Sequence, residues 1–121
     1  MLLFLSPVIT GEVYLPDIFV RQPHDVGAVD HDDVHFKVIQ FWGDDFYTTR
    51  LIHNTRDGSA IIRELDVDDS KHWTCDLQID DAAHMLIIRF PRDRRYWEYW
   101  WDTKRLVRHQ ETGPIQLYPA L

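Results

Sequence analysis

The chain has 121 residues, 45% of them hydrophobic and 27% charged, with a formal net charge of −7. This fits one folded domain over residues 1–121, whose core buries roughly two-thirds of the unfolded surface. No apolar run approaches the about 20 residues of a membrane-spanning helix, and the overall acidity disfavours general binding to phosphate backbones.

In chain order, the apolar opening Met1 to Thr10 has no basic leader and no small-residue cleavage pattern, and Pro7 interrupts it. It reads as a first strand rather than a signal peptide. Two short strands, residues 11–16 and 17–21, are expected on either side of Pro16. Residues 22–33 read as an acidic loop.

Alternating segments then recur at the spacing of all-β domains. Val34 to Trp42 and Phe46 to His53 form a hairpin about Gly43-Asp44-Asp45. Asp57-Gly58 between apolar runs predicts a second tight hairpin, returning through Ser59 to Leu65. Asp68 to Lys71 supplies a further turn, and Trp73 to Asp80 alternates as a half-buried strand with Trp73, Cys75, Leu77 and Ile79 on one side. Asp80 to Ala83 turns the chain into an apolar strand from His84 to Phe90, and residues 91–94 close it.

Arg95 to Asp102 follows, with five aromatic rings in six consecutive positions. As a strand it places Trp97, Tyr99 and Trp101 on one face, and Tyr96 and Trp100 on the other with Glu98 and Asp102. A helical stripe through Trp97, Trp100, Trp101 and Lys104 is the alternative; aromatic residues and neighbouring strands favour the strand. Gly113 to Tyr118 reads as a short edge strand stopped by Pro119.

The fold class is therefore all-β: a single small antiparallel barrel or sandwich of roughly six to eight strands built from consecutive hairpins, with at most one short helix. A bent barrel of the SH3 or Sm-like type with extensions and a calycin-like barrel share this rhythm, although the chain carries no motif of either group. The single Cys75 has no internal disulfide partner, which points to a reducing, cytoplasmic setting.

Charge is uneven. Residues 1–88 hold 6 Lys and Arg against 16 Asp and Glu, whereas residues 89–121 hold 7 against 4. The basic third is also the aromatic third, and Trp, Tyr and Arg are the residues enriched at protein interfaces. Arg94, Arg95, Tyr96, Trp100, Lys104 and Arg105 are the candidate partner-binding residues, for a protein partner or a second copy of the chain. Glu98 and Asp102 repel phosphate and make single-stranded nucleic acid a lesser option; they are expected to pair with Arg94, Arg95 or Arg105.

A second candidate lies in the acidic loop, where an extended backbone projects His31, Asp33 and His35 to one side as potential metal ligands. A complete site needs a further His or carboxylate brought in by the fold, such as His53, His72 or His84, and no zinc or EF-hand spacing is present, so no cofactor is assigned. The pairs Asp44-Asp45, Asp68-Asp69 and Asp80-Asp81 read as turn residues, and Cys75 as a small buried hydrophobe. With neither a nucleophile elbow nor a Gly-rich phosphate loop, the favoured function is non-catalytic: an assembly module working through the aromatic-basic strand. Alternatives are a carrier with an aromatic-lined cavity for an apolar ligand, a metal-dependent enzyme using the His/Asp loop, and a weak binder of single-stranded nucleic acid.

Overall fold

The alternation that begins before Val34 is realised as strands throughout. The computed structural model describes residues 23–43, 45–68 and 70–121, and those residues contain nine strands and no helix. The expectations for residues 1–21 lie outside the described residues. Strands β1 (His24–His31), β2 (Val34–Gly43), β3 (Phe46–Asn54) and β4 (Ala60–Leu65) form one sheet in sequence order. A second sheet holds β5 (Asp76–Asp80), β6 (Met85–Arg89), β7 (Tyr96–Trp100), β8 (Arg105–Gln110) and β9 (Gly113–Tyr118), again in sequence order. All neighbours pair antiparallel.

Three expectations are corrected. Residues 24–31 are not a loop: polar and apolar residues alternate closely enough for β1 to pair with β2, through a bulge between Asp25 and Gly27. Residues 66–68 and 70–75 do not make a hairpin turn but lie on the passage of the chain from one sheet to the other. Trp73 lies ahead of β5 and is 71% exposed, so only Cys75, Leu77 and Ile79 of its proposed face pack on the core. The Asp57-Gly58 step does turn the chain, with Gly58 at φ 88°, within a wider loop that pairs Asn54 with Ala60.

One core joins the two sheets. Phe36, Val38, Leu51 and Leu65 from the first meet Leu86, Ile88, Trp97, Tyr99 and Leu106 from the second, and none exceeds 3% exposure. Burying each such side chain contributes about 1.5–3 kcal/mol. The aromatic run is a strand, as the alternation requires: Trp97 and Tyr99 are fully buried, Trp101 lies in the following turn at 8% exposure, and Tyr96 and Trp100 are half-buried on the outer face.

The sheets approach at two seams without a ladder across either. At one, the Cys75 amide donates to the Val26 carbonyl at 3.1 Å. At the other, the Glu64 amide donates to the Tyr118 hydroxyl at 3.0 Å, and the Arg63 guanidinium sits 4.6 Å from the Tyr118 ring centre. Among the described residues the strand order is open in both sheets. Up-and-down connectivity then gathers the turns β1–β2, β3–β4, β5–β6 and β7–β8 at one end.

Candidate functional site

Those four turns enclose a cleft of about 400 Å³ lined by His31, Asp33, His53, His84, Asp102 and Lys104 among others. Loops at the end of a rigid sheet scaffold are the usual place for binding residues. Local backbone conformation marks this end. Asp32 (φ 52°), His84 (φ 53°) and Lys104 (φ 63°) occupy the left-handed region that glycine adopts most readily, and all three line the cleft. Each costs about 1 kcal/mol relative to glycine, so side chains are retained where glycine is conformationally cheapest.

The imidazoles are held by oxygen partners. His84 Nδ1 donates to Asp102 Oδ2 at 2.6 Å, and its ring stacks on Trp101 with centres 5.3 Å apart and planes 12° from parallel. The hydrogen bond to Asp102, reinforced by that carboxylate's charge, raises the His84 pKa above the usual histidine value. His31 Nε2 donates to Asp81 Oδ1 at 2.7 Å, with its ring 5.7 Å from Trp101. Asp33 forms an ion pair with Arg56.

His53 forms the buried part of this wall. It is 2% exposed, its Nδ1 lies 2.8 Å from the Tyr99 hydroxyl, and its Nε2 is buried with no hydrogen-bond partner among the described residues. Burial, with the Lys104 and Arg63 charges in support, lowers its pKa to about 4, so the ring is neutral near pH 7. Burial also raises the Tyr99 pKa, which keeps its hydroxyl protonated. The arrangement that satisfies most groups has Tyr99 donating to Nδ1. The remaining imidazole proton then sits on Nε2 as an unpaired donor.

The residues singled out in the sequence are distributed differently. His31 points with Val34 toward the cleft, whereas His35 lies on the opposite face of the sheet, its Nδ1 2.8 Å from Asp30. Asp32-Asp33 is the two-residue turn between them, which breaks the continuous extended segment that a shared ligand set requires. Among the described residues no three His, Cys, Asp or Glu are grouped to hold a metal ion.

Of the aromatic-basic set, Lys104 belongs to the cleft. Arg94 is exposed, and Arg95 is clamped to Asp93 by bonds of 3.0 and 2.9 Å, which lower the Asp93 pKa. Tyr96 stacks on His109 at 4.7 Å with Arg89 4.5 Å from its ring centre, and the Arg105 guanidinium lies 4.7 Å from that of Trp100. Glu98 pairs with His109 at 2.5 Å and Asp102 with His84, in place of the arginines expected. Cross-strand pairing decides this, because His109 sits opposite Tyr96 on the same outer face as Glu98.

Of the histidines expected to join His31, the fold brings His53 and His84 to this cleft and His72 to the other end, whereas Trp101 was expected only on the core face. A histidine at a turn position was the available signal. The chain matches no protein-family model, no curated protein and no solved structure. Fold and cleft together define a two-sheet all-β protein with a histidine-carboxylate cleft at its turn end.

Proposed function

We propose that this protein is a single-domain, two-sheet sandwich that acts as a non-catalytic binding module. Its turn-end cleft receives a small ligand, or a partner's side chain, that presents a carboxylate or phosphate oxygen. The carrying observation is the buried Nε2 of His53, which has no partner among the described residues. A buried donor without a partner costs about 1–3 kcal/mol, and an acceptor oxygen entering the cleft removes that cost. Lys104 supplies a cation at the cleft wall, where Arg56 is already paired with Asp33, while Asp81 and Asp102 orient His31 and His84. Binding is favoured over catalysis because Cys75, its thiol pushed up to about 12 by burial, is no nucleophile and does not line the cleft.

Titration with inorganic phosphate and with acetate, followed by the imidazole NMR signals, is expected to shift His53 saturably. The double variant His53→Phe/Tyr99→Phe removes the orphan donor together with its partner; it is expected to lose this binding while gaining stability, since a polar pair is replaced by apolar rings. Unmoved His53 signals, or equal phosphate and acetate binding by the variant, would sink the reading.

A second reading retains self-association through the outer face of the five-stranded sheet. Its support is that Tyr96 and Trp100 are only half-buried and carry Arg89 and Arg105 against their rings, the residue types of an interface core. Sedimentation over a hundredfold concentration range is expected to show mass action that Tyr96→Ser/Trp100→Ser abolishes. A monomer throughout that range counts against it.

A further inference from the structure

The opposite end of the molecule carries a second, larger cleft of about 600 Å³, bounded by Asp68 and residues 70–74 of the crossover and by the β6–β7 turn at residues 91–95. It holds the most exposed aromatic side chain among the described residues, Trp73, at 71%. An exposed tryptophan is ordinary on a flexible loop; this one is on a braced loop. Gln40, fully buried in β2, donates through Nε2 to the Ser70 carbonyl at 2.9 Å and to Thr49 Oγ1 at 3.1 Å, and accepts at Oε1 from the His72 amide at 2.8 Å. His24 Nε2 lies 3.1 Å from the His72 carbonyl, and the His72 ring packs 5.0 Å from that of Phe90. The approach to Trp73 and the strand beneath it are therefore fixed, and the indole is held out beside the cleft.

The charges there are of two kinds. Asp93 is committed to Arg95, and Asp68 accepts from the Ser70 hydroxyl at 2.5 Å and from His72 Nε2 at 3.0 Å, bonds that lower the pKa of each carboxyl. Lys71 and Arg92 make no ion pair with a described residue; the Lys71 ammonium lies 4.0 Å from the Trp73 ring centre, and Arg92 holds a left-handed φ of 66° on the facing turn. What the cleft has left to offer is a preorganised indole with two cations.

We propose that this cleft binds a planar ring carrying an anionic group, of the nucleoside monophosphate class, with the ring against Trp73 and the anion between Lys71 and Arg92. Stacking of a base on an aromatic side chain is tolerant of base identity, and preorganisation of the indole lowers the ordering cost of binding. This site is independent of the histidine cleft.

Three probes separate the contributions in titrations followed by calorimetry and tryptophan fluorescence: adenosine monophosphate, adenosine and inorganic phosphate. Adenosine monophosphate is expected to bind more tightly than either other probe, weakening about 5- to 150-fold in Trp73→Ala and losing its advantage over adenosine in Arg92→Ala/Lys71→Ala. Both changes are at surface positions, and unchanged circular dichroism and melting verify the fold. Retained affinity in Trp73→Ala, equal affinity for adenosine and its monophosphate, or no saturable binding of the monophosphate each overturns the proposal.

Discussion

Gly27 shows how closely one residue can hold a seam. A Cβ added there would lie 2.7 Å from Cys75 Sγ and 3.3 Å from the Cys75 carbonyl oxygen, at the point where β1 and the approach to β5 meet. The absent side chain is what allows the two sheets to touch. Gly27→Ala is expected to destabilise the protein by about 1–3 kcal/mol, the usual cost of overpacking, read from urea unfolding. Combining it with Cys75→Ala removes the nearer clash and is expected to restore part of that loss; full additivity of the two changes would contradict the steric explanation.

At the scale of elements, the crossover between the sheets depends on Gln40. Gln40→Leu deletes three hydrogen bonds to Thr49, Ser70 and His72 while nearly preserving volume. Leaving these partly buried groups unpaired is expected to cost about 2–4 kcal/mol and to raise amide hydrogen exchange at His72. Unchanged exchange there would show that the segment is braced by other contacts.

The crossover is also where the sequence was hardest to read. Asp68 to Lys71 has the composition of a hairpin turn, and the same Asx chemistry serves a connection that changes sheets. Strand identity was legible from Val34 onward because alternation is local: Trp97 and Tyr99 sort to the core by period alone. The bulge between Asp25 and Gly27 hid β1, since it interrupts the alternation at the start of the strand. The histidine cleft was not legible for a different reason. His53 meets Tyr99 and His31 meets Asp81 across 46 and 50 residues of chain, contacts fixed by how the sheets face each other.

For the whole molecule, His53 links stability to pH. Its pKa is about 4 folded against 6.5 for an unperturbed histidine, so between those values the unfolded chain binds more protons than the folded one. Stability therefore falls as pH drops from 6.5 toward 4, by at most roughly 3 kcal/mol from this group. His84 acts in the opposite sense: its raised pKa contributes stability that is present below 6.5 and lost as pH rises through the folded value. That pair is exposed and solvent screening keeps its part small. The lowered carboxylates Asp68 and Asp93 act lower still, their contribution vanishing as pH falls through the acid range. Urea unfolding at pH 7, 5.5 and 4.5 is expected to show a decline that His53→Phe/Tyr99→Phe flattens; parallel profiles for both proteins would remove His53 as the cause.

Strict sequence order within each sheet has a consequence for synthesis. The strands β1 to β4 leave the ribosome before any strand of the second sheet, with Phe36, Val38 and Leu51 still lacking the surface that covers them. A first half that folded before the second arrived would present a four-stranded sheet with one greasy side bare, until Met85 to Trp101 follow. Slow codons placed after Leu65 would prolong that interval and favour association between growing chains.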